Sequence, residues 1–309
     1  MKAMANGLSE MTLGTVQLGL NYGIANTLGK PERDTAYAML KTASDCGINS
    51  LDTAQGYGDA EAVIGDFFRR FSPGAKEMIV TTKIALSAGG DISEKTVERE
   101  LTEKTEFSLM TLGVKQLRYL LLHHGEDMYK AGGAVNRVME KLVKRGYAQE
   151  AGVSVYTGDE ILEMLKHPHY TAVQLPLSVL DQKLIDSGLL EKLESQRVCV
   201  FVRSVFSQGL IFLDPDKLTK PALHEYALTP LKNLRKRCGE LGLTPSEYAL
   251  SFVRRLQAVT SIVLGADSPE QIAQNAALFD KPPMDDSEFD RARSLFGSVP
   301  FDRIMDALR

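Results

Sequence analysis

The 309-residue chain carries 36 Lys and Arg against 40 Asp and Glu, a net charge of −4, with 44% hydrophobic and 25% charged residues. That balance creates no field to attract a phosphate backbone or anionic lipid, so no nucleic-acid or membrane partner is expected and electrostatics points to a small molecule. Cys46, Cys199 and Cys238 are odd in number and outside any C-x-x-C, which predicts reduced thiols and no zinc site. The opening MKAMANGLSEMTLG lacks an apolar core of signal-peptide length, and no run reaches the roughly 18 apolar residues of a spanning helix, so a cytoplasmic protein is expected.

From the N-terminus onward, short apolar runs at 12–16, 48–52, 78–84, 117–122, 148–153, 172–175, 198–202 and 261–264 read as strands alternating with helix-period segments. That alternation is the sequence form of βα units around a parallel sheet, and eight of them predict an α/β fold of the (β/α)8 TIM-barrel type. No Ser, Pro or Gly-rich linker divides the chain, so residues 1–309 read as a single domain. The first long helix should bury Ala36, Met39, Leu40 and Ala43 at i, i+3, i+4, i+7 and stop at Gly47. Thr157 with Glu160, Thr244 with Glu247 and Ser268 with Gln271 read as capping boxes, with Pro245 and Pro269 at the first helical position. At the C-terminal end, Phe289, Leu295 and Phe296 give 285–309 an apolar face for the barrel or for a partner.

A doubly wound sheet with a dinucleotide at G-x-G-x-x-G is the competing architecture. The glycines after the first strand begins, Gly14, Gly19, Gly23 and Gly29, lie in a long loop and do not form that fingerprint. Any dinucleotide must be held in another way, and a barrel offers a phosphate site near its last strands and a helix N-terminus.

Barrel enzymes place their chemistry at the C-terminal ends of the strands. Asp52 ends the second strand with Tyr57 in the loop after it, Lys83 is near the end of the third, and His123 ends the fourth. Singly, each has a structural explanation: Asp52 as a turn or cap residue, Tyr57 as a loop aromatic, Lys83 as a snorkelling strand-end lysine. Their occurrence together at three successive strand ends selects the chemical reading. A hydride arriving at a carbonyl carbon builds negative charge on oxygen, which needs a proton donor and hydrogen bonds. Tyr57 would be the acid, Lys83 the ammonium that lowers its pKa, Asp52 the anchor of that ammonium, and neutral His123 the donor that orients the carbonyl. His124 competes with His123 for that place, the two facing opposite ways if the strand continues, and the preceding leucine run favours His123. His167 and His169 lie in a Pro-containing turn without a Cys or Glu cluster, so no metal is assigned.

On these residues, and on the segments LGTVQLG, GINSLDTAQGYGDAEAVIG, TTKIA, YLLLHH, AGVSVY, VQLPLS, SQGL and SIVLGADSPEQIAQN, the chain resembles the aldo-keto reductase superfamily from Leu13 to Asn275. The resemblance implies the same Asp52, Tyr57, Lys83 and His123 tetrad and an extended NADPH held without a Rossmann fold. It places Gly14 and Thr15 beside the nicotinamide ribose and Ser154 and Gln174 on the carboxamide. The backbone of Ser207, Gln208, Gly209 and Leu210 would lie over the pyrophosphate. Gly265, Ala266, Asp267, Gln271 and Asn275 fall to the adenosine-phosphate end, at a helix N-terminus where unpaired N–H groups favour an anion.

Four positions depart from the family pattern. Val155 stands where Asn usually follows the Ser, and Arg203 where an aromatic ring commonly stacks on the nicotinamide, a role a planar guanidinium can share. Asp267 and Gln271 stand where NADPH-selective members place a basic side chain, so the family favours NADPH while this local chemistry leaves NADH possible. NYGIAN followed by GKP, and RSVFSQGL, resemble a bacterial branch associated with sugar or surface-polysaccharide metabolism. The loop at 20–31 either closes the barrel top or overhangs the substrate, offering Asn21, Tyr22 and Asn26 to a hydroxylated, sugar-like carbonyl. Three functions compete: a carbonyl reductase, a nicotinamide-binding regulatory or sensor subunit with little turnover, and a lyase or epimerase using Lys83 as a Schiff base. The intact tetrad favours the first.

Overall fold

A computed structural model describes residues 7–24, 26, 28–71, 78–87 and 92–308. Eight parallel strands, β1 (Met11–Gly14), β2 (Ser50–Asp52), β3 (Ile79–Ile84), β4 (Leu117–Leu122), β5 (Ala148–Ser154), β6 (Tyr170–Pro176), β7 (Cys199–Arg203) and β8 (Ser261–Leu264), pair in chain order. β8 closes on β1 through Met11 opposite Ile262, which completes the (β/α)8 barrel that the alternation predicts. Around it run α1 (Val16–Gly19), α2 (Arg33–Asp45), α3 (Ala60–Arg70), α4 (Glu94–Leu112), α5 (Ala134–Lys144) and α6 (Gly158–Met164). The second half adds α7 (Leu189–Ser195), α8 (Pro221–Leu241), α9 (Pro245–Arg254), α10 (Pro269–Ala277), α11 (Asp286–Phe296) and α12 (Phe301–Leu308). No helix among the described residues is long and apolar enough to cross a membrane.

The core has two compartments because each strand is covered on both faces. One lies between wall and helices, where α2 buries Ala36, Met39, Leu40 and Ala43 as the spacing predicts. The other fills the barrel with Leu8, Tyr119, Leu121, Ala172, Cys199 and Phe201. Near it the Thr12 hydroxyl is 2.7 Å from both the Ser50 and Ser261 hydroxyls, so these buried polar groups satisfy one another across three strands.

Element ends depart from expectation where turns consume residues. β1 stops at Gly14, and Val16 opens the single turn of α1 instead of ending the strand. β2 begins only at Ser50 because α2 ends in a Schellman motif: Gly47, at φ +76°, donates to the Ser44 carbonyl and Ile48 to that of Ala43, both at 2.9 Å. Capping boxes form at Thr157 and Thr244. The third is half-formed: Ser268 accepts from the Gln271 N–H, but the Gln271 amide oxygen accepts instead from the Asp267 N–H at 2.6 Å. The apolar face at 285–309 packs on its own chain, with Phe289 stacked on Phe252 at 5.0 Å and Phe296 buried, while Leu295 stays exposed.

Candidate active site

At the C-terminal mouth of the barrel, neighbouring strands bring three chain segments onto one ammonium. The Lys83 Nζ lies 2.8 Å from both Asp52 carboxylate oxygens, donates to the Thr53 carbonyl at 3.0 Å, and donates to the Tyr57 hydroxyl at 3.3 Å. Gln174, on β6, donates its amide to Asp52 at 2.7 Å, so the carboxylate is held from two sides. Burial alone would push the Lys83 ammonium towards its neutral form, but the charges of Asp52 and Tyr57 outweigh it and leave its pKa above the ordinary lysine value. It remains a cation at physiological pH, ready to stabilise negative charge on the Tyr57 oxygen.

Tyr57 owes its place to two glycines. A Cβ at Gly19 would stand 1.8 Å from the Tyr57 carbonyl oxygen, and Gly58, at φ +58°, leaves 2.4 Å between such an atom and the Gly19 carbonyl oxygen. Only bare backbone lets α1 press on the loop after β2 this closely. The Tyr57 N–H closes a turn on the Ala54 carbonyl at 3.0 Å, and the phenol ring meets His123 edge-on at 5.7 Å.

His123 follows directly on β4, its N–H bonded to the Ile84 carbonyl at 2.8 Å. Burial, then the Lys83 ammonium, His124 and Arg203, push its pKa down to about 3, so the imidazole is neutral through the physiological range. The unfolded chain binds a proton at this position between about pH 6.5 and 3 that the folded chain does not, so folded stability falls as pH drops through that window. Urea midpoints measured from about pH 7 to 4 should decline less steeply in His123→Asn than in the parent. Equal slopes would show that His123 titrates normally in the fold.

These groups open into one cleft of about 390 Å³ that runs from Tyr57 and His123 to the start of α10. Of the positions singled out in the sequence, Gly14, Thr15, Ser154 and Gln174 line it beside the tetrad, and Gly265, Ala266, Asp267, Gln271 and Asn275 line its far end. Tyr22, Arg203, Gln208 and Gly209 line the wall between. The Arg203 guanidinium lies 4.2 Å from the Tyr156 ring centroid and donates to the Val155 carbonyl at 3.2 Å, while the Val155 side chain is buried away from the cleft.

Four of the expected residues are not among those that line the cleft. Ser207 and Leu210, expected to contribute their backbone, turn their side chains inward, the Ser207 hydroxyl lying 3.2 Å from that of Ser178 and Leu210 sitting fully buried, in a SQGL segment bent by positive φ at Ser207, Gln208 and Gly209. Asn21 caps its own loop, accepting from the Lys30 N–H at 2.7 Å. His124 is exposed and stacks on His123 at 4.9 Å, outside the cleft. Of the loop at 20–31, Ala25 and Thr27 lie outside the described residues. Asn26 lines the cleft, yet its side chain is committed to the loop, accepting from the Leu28 and Gly29 N–H groups and donating to the Tyr22 carbonyl. The Ile24 N–H bonds the Gln208 carbonyl at 3.2 Å, joining this loop to the wall opposite. Gln17, Tyr156, Phe206 and Phe212 also line the cleft and went unread in the sequence.

Among the described residues no cluster of three or more His, Cys, Asp and Glu could hold a metal. A family model described as Aldo/keto reductase matches residues 10–296. The chain is 25% identical over 297 residues to an NADH-specific methylglyoxal reductase of Escherichia coli, covering 87% of this chain and 89% of that protein. It is also 25% identical over 269 residues to a putative voltage-gated potassium channel subunit beta of Schizosaccharomyces pombe, covering 76% of each. Among solved structures, an aldo-keto reductase from Klebsiella pneumoniae in complex with NADPH superimposes with a TM-score of 0.67 at 20% identity, over 94% of this chain and 91% of that one.

Proposed function

The chain belongs to the aldo/keto reductase family, and from that premise and the site geometry we propose that it reduces a small aldehyde or ketone with a nicotinamide dinucleotide, Tyr57 delivering the proton. The observation that carries this reading is the buried hydrogen-bonded line from Asp52 through Lys83 to Tyr57, ending beside neutral His123 at the head of one long cleft.

The cleft's lining fits such a dinucleotide. Buried oxygens of Gln17 and Asp267 lack partners and await donors, and Ser154 and Gln174 stand beside the tetrad where they would hold a carboxamide. Bound there, the dinucleotide supplies the hydride. His123 donates a hydrogen bond to the carbonyl oxygen and fixes its direction towards Tyr57. The Tyr57 hydroxyl gives its proton to that oxygen as negative charge builds on it. Lys83, donating to the Tyr57 oxygen, stabilises the phenolate left behind, and Asp52 holds the ammonium charged. Tyr22, exposed at 40%, and Tyr156, at 58%, form a partly open aromatic rim suited to a small hydroxylated carbonyl such as a sugar-like aldehyde.

The test is consumption of NADH or NADPH, followed at the nicotinamide absorbance, with a panel of small aldehydes, hydroxyketones and aldoses. Turnover with at least one of them is expected. Dinucleotide binding without turnover across the panel would favour a regulatory subunit, a role for which the channel-subunit relative gives a precedent in the family.

A further inference from the structure

The far end of the cleft holds two buried acceptor atoms without partners. One is the Oδ1 of Asp267, immediately before α10. The other is the Oε1 of Gln17, a side chain nine-tenths buried, whose amide crowds the place a Cβ on Gly265 would occupy. A dinucleotide whose nicotinamide meets Tyr57 has one direction to lie along this cleft, and it brings the adenosine ribose to that end.

The chemistry there is opposite to that of a phosphate site. Arg203 is the single lysine or arginine among the described residues that line the cleft, and its guanidinium is engaged by the Val155 carbonyl and the Tyr156 ring. Several of the donors that could hold an anion at the start of α10 are already engaged or missing. Pro269 has no N–H, and the Gln271 N–H is taken by the Ser268 hydroxyl. The Asp267 N–H is taken by the Gln271 side chain, and the Glu270 carboxylate turns back on its own N–H. A phosphate placed here would meet the Asp267 carboxylate with no lysine and no second arginine beyond Arg203 among the described residues that line the cleft, whereas a ribose hydroxyl would find an acceptor that lacks a donor.

We infer that this cleft selects the dinucleotide without a 2′-phosphate, NADH over NADPH, and that Asp267 is the specificity-determining residue, accepting a hydrogen bond from the ribose hydroxyl and repelling the phosphate. The inference rests on the nicotinamide reading above and deepens it. Burial raises the Asp267 pKa, in keeping with a carboxylate placed to receive a donor.

The test is affinity. The full chain is titrated with NADH and with NADPH at fixed salt by nicotinamide fluorescence, and with ADP and 2′,5′-ADP as competitors of the bound dinucleotide. NADH should bind about tenfold or more tighter than NADPH, and ADP should compete better than 2′,5′-ADP. Asp267→Ser should weaken NADH, strengthen NADPH and narrow the ratio, and the isosteric Asp267→Asn should narrow it in the same direction. NADPH binding as tightly as NADH to the parent, or a ratio unchanged in both variants, overturns the inference and leaves the reductase reading intact. A folded protein that binds neither dinucleotide overturns both.

Discussion

Tyr57→Phe should lower kcat by about 10²–10⁴-fold while leaving dinucleotide affinity within about twofold. The substitution removes one oxygen and keeps the ring that meets His123 edge-on at 5.7 Å and faces the Lys83 ammonium at 4.8 Å from its centroid. Binding surface is therefore preserved, and the proton donor alone is lost. Steady-state kinetics beside a fluorescence titration of the same preparation separate the two quantities. A kcat within about threefold of the parent would remove Tyr57 from the donor role and shift it to His123, the other hydrogen-bonding group at the tetrad end. A Schiff-base mechanism on Lys83 would likewise tolerate the loss of the phenol, so the variant also separates reduction from imine chemistry.

Lys83→Met should be inactive and should also cost about 3–5 kcal/mol of stability, because it leaves the Asp52 carboxylate buried without its cation. The pair is almost wholly enclosed, with side-chain exposures of 1% for Lys83 and 5% for Asp52, so water cannot replace the lost partner. The remaining donor to that carboxylate would be the Gln174 amide. Adding Asp52→Asn to Lys83→Met removes the stranded charge and should recover part of the stability without recovering activity. That split tells a catalytic ammonium from a merely structural one. The sign with pH follows from the raised pKa of Lys83: its contribution is intact below the ordinary lysine value and is lost only as pH climbs through the higher folded one. Stability equal to the parent in Lys83→Met, measured by urea unfolding, would mean that the pair is dispensable.

The sequence showed the barrel because a strand covered on both faces reads as an unbroken apolar run, as LRYLLL and SIVL do, and both were bounded as the structure has them. It showed the four groups now gathered at Lys83 because three of them end or follow strands, where register alone decides what faces the mouth. Turns and tertiary folding-back were less legible. Val16 continues an apolar pattern yet begins a helical turn, and nothing in SQGL announces the positive φ values that go with burial of the Ser207 and Leu210 side chains. Gln17 escaped notice because its side chain reaches the cleft only by lying against Gly265, a contact between opposite ends of the chain. The half-formed cap at α10 was hidden for a local reason, as the Gln271 amide oxygen accepts from the Asp267 N–H instead of closing the box.

The most direct test of the proposed reaction is label transfer. The protein is incubated with an aldehyde and with NADH or NADPH deuterated at the nicotinamide C4, and the alcohol is analysed by mass spectrometry. The expected result is one deuterium on the former carbonyl carbon with the parent protein and a near-complete loss of that product with Tyr57→Phe. A folded, dinucleotide-bound protein that yields no labelled alcohol would contradict the assignment of carbonyl reduction to this site.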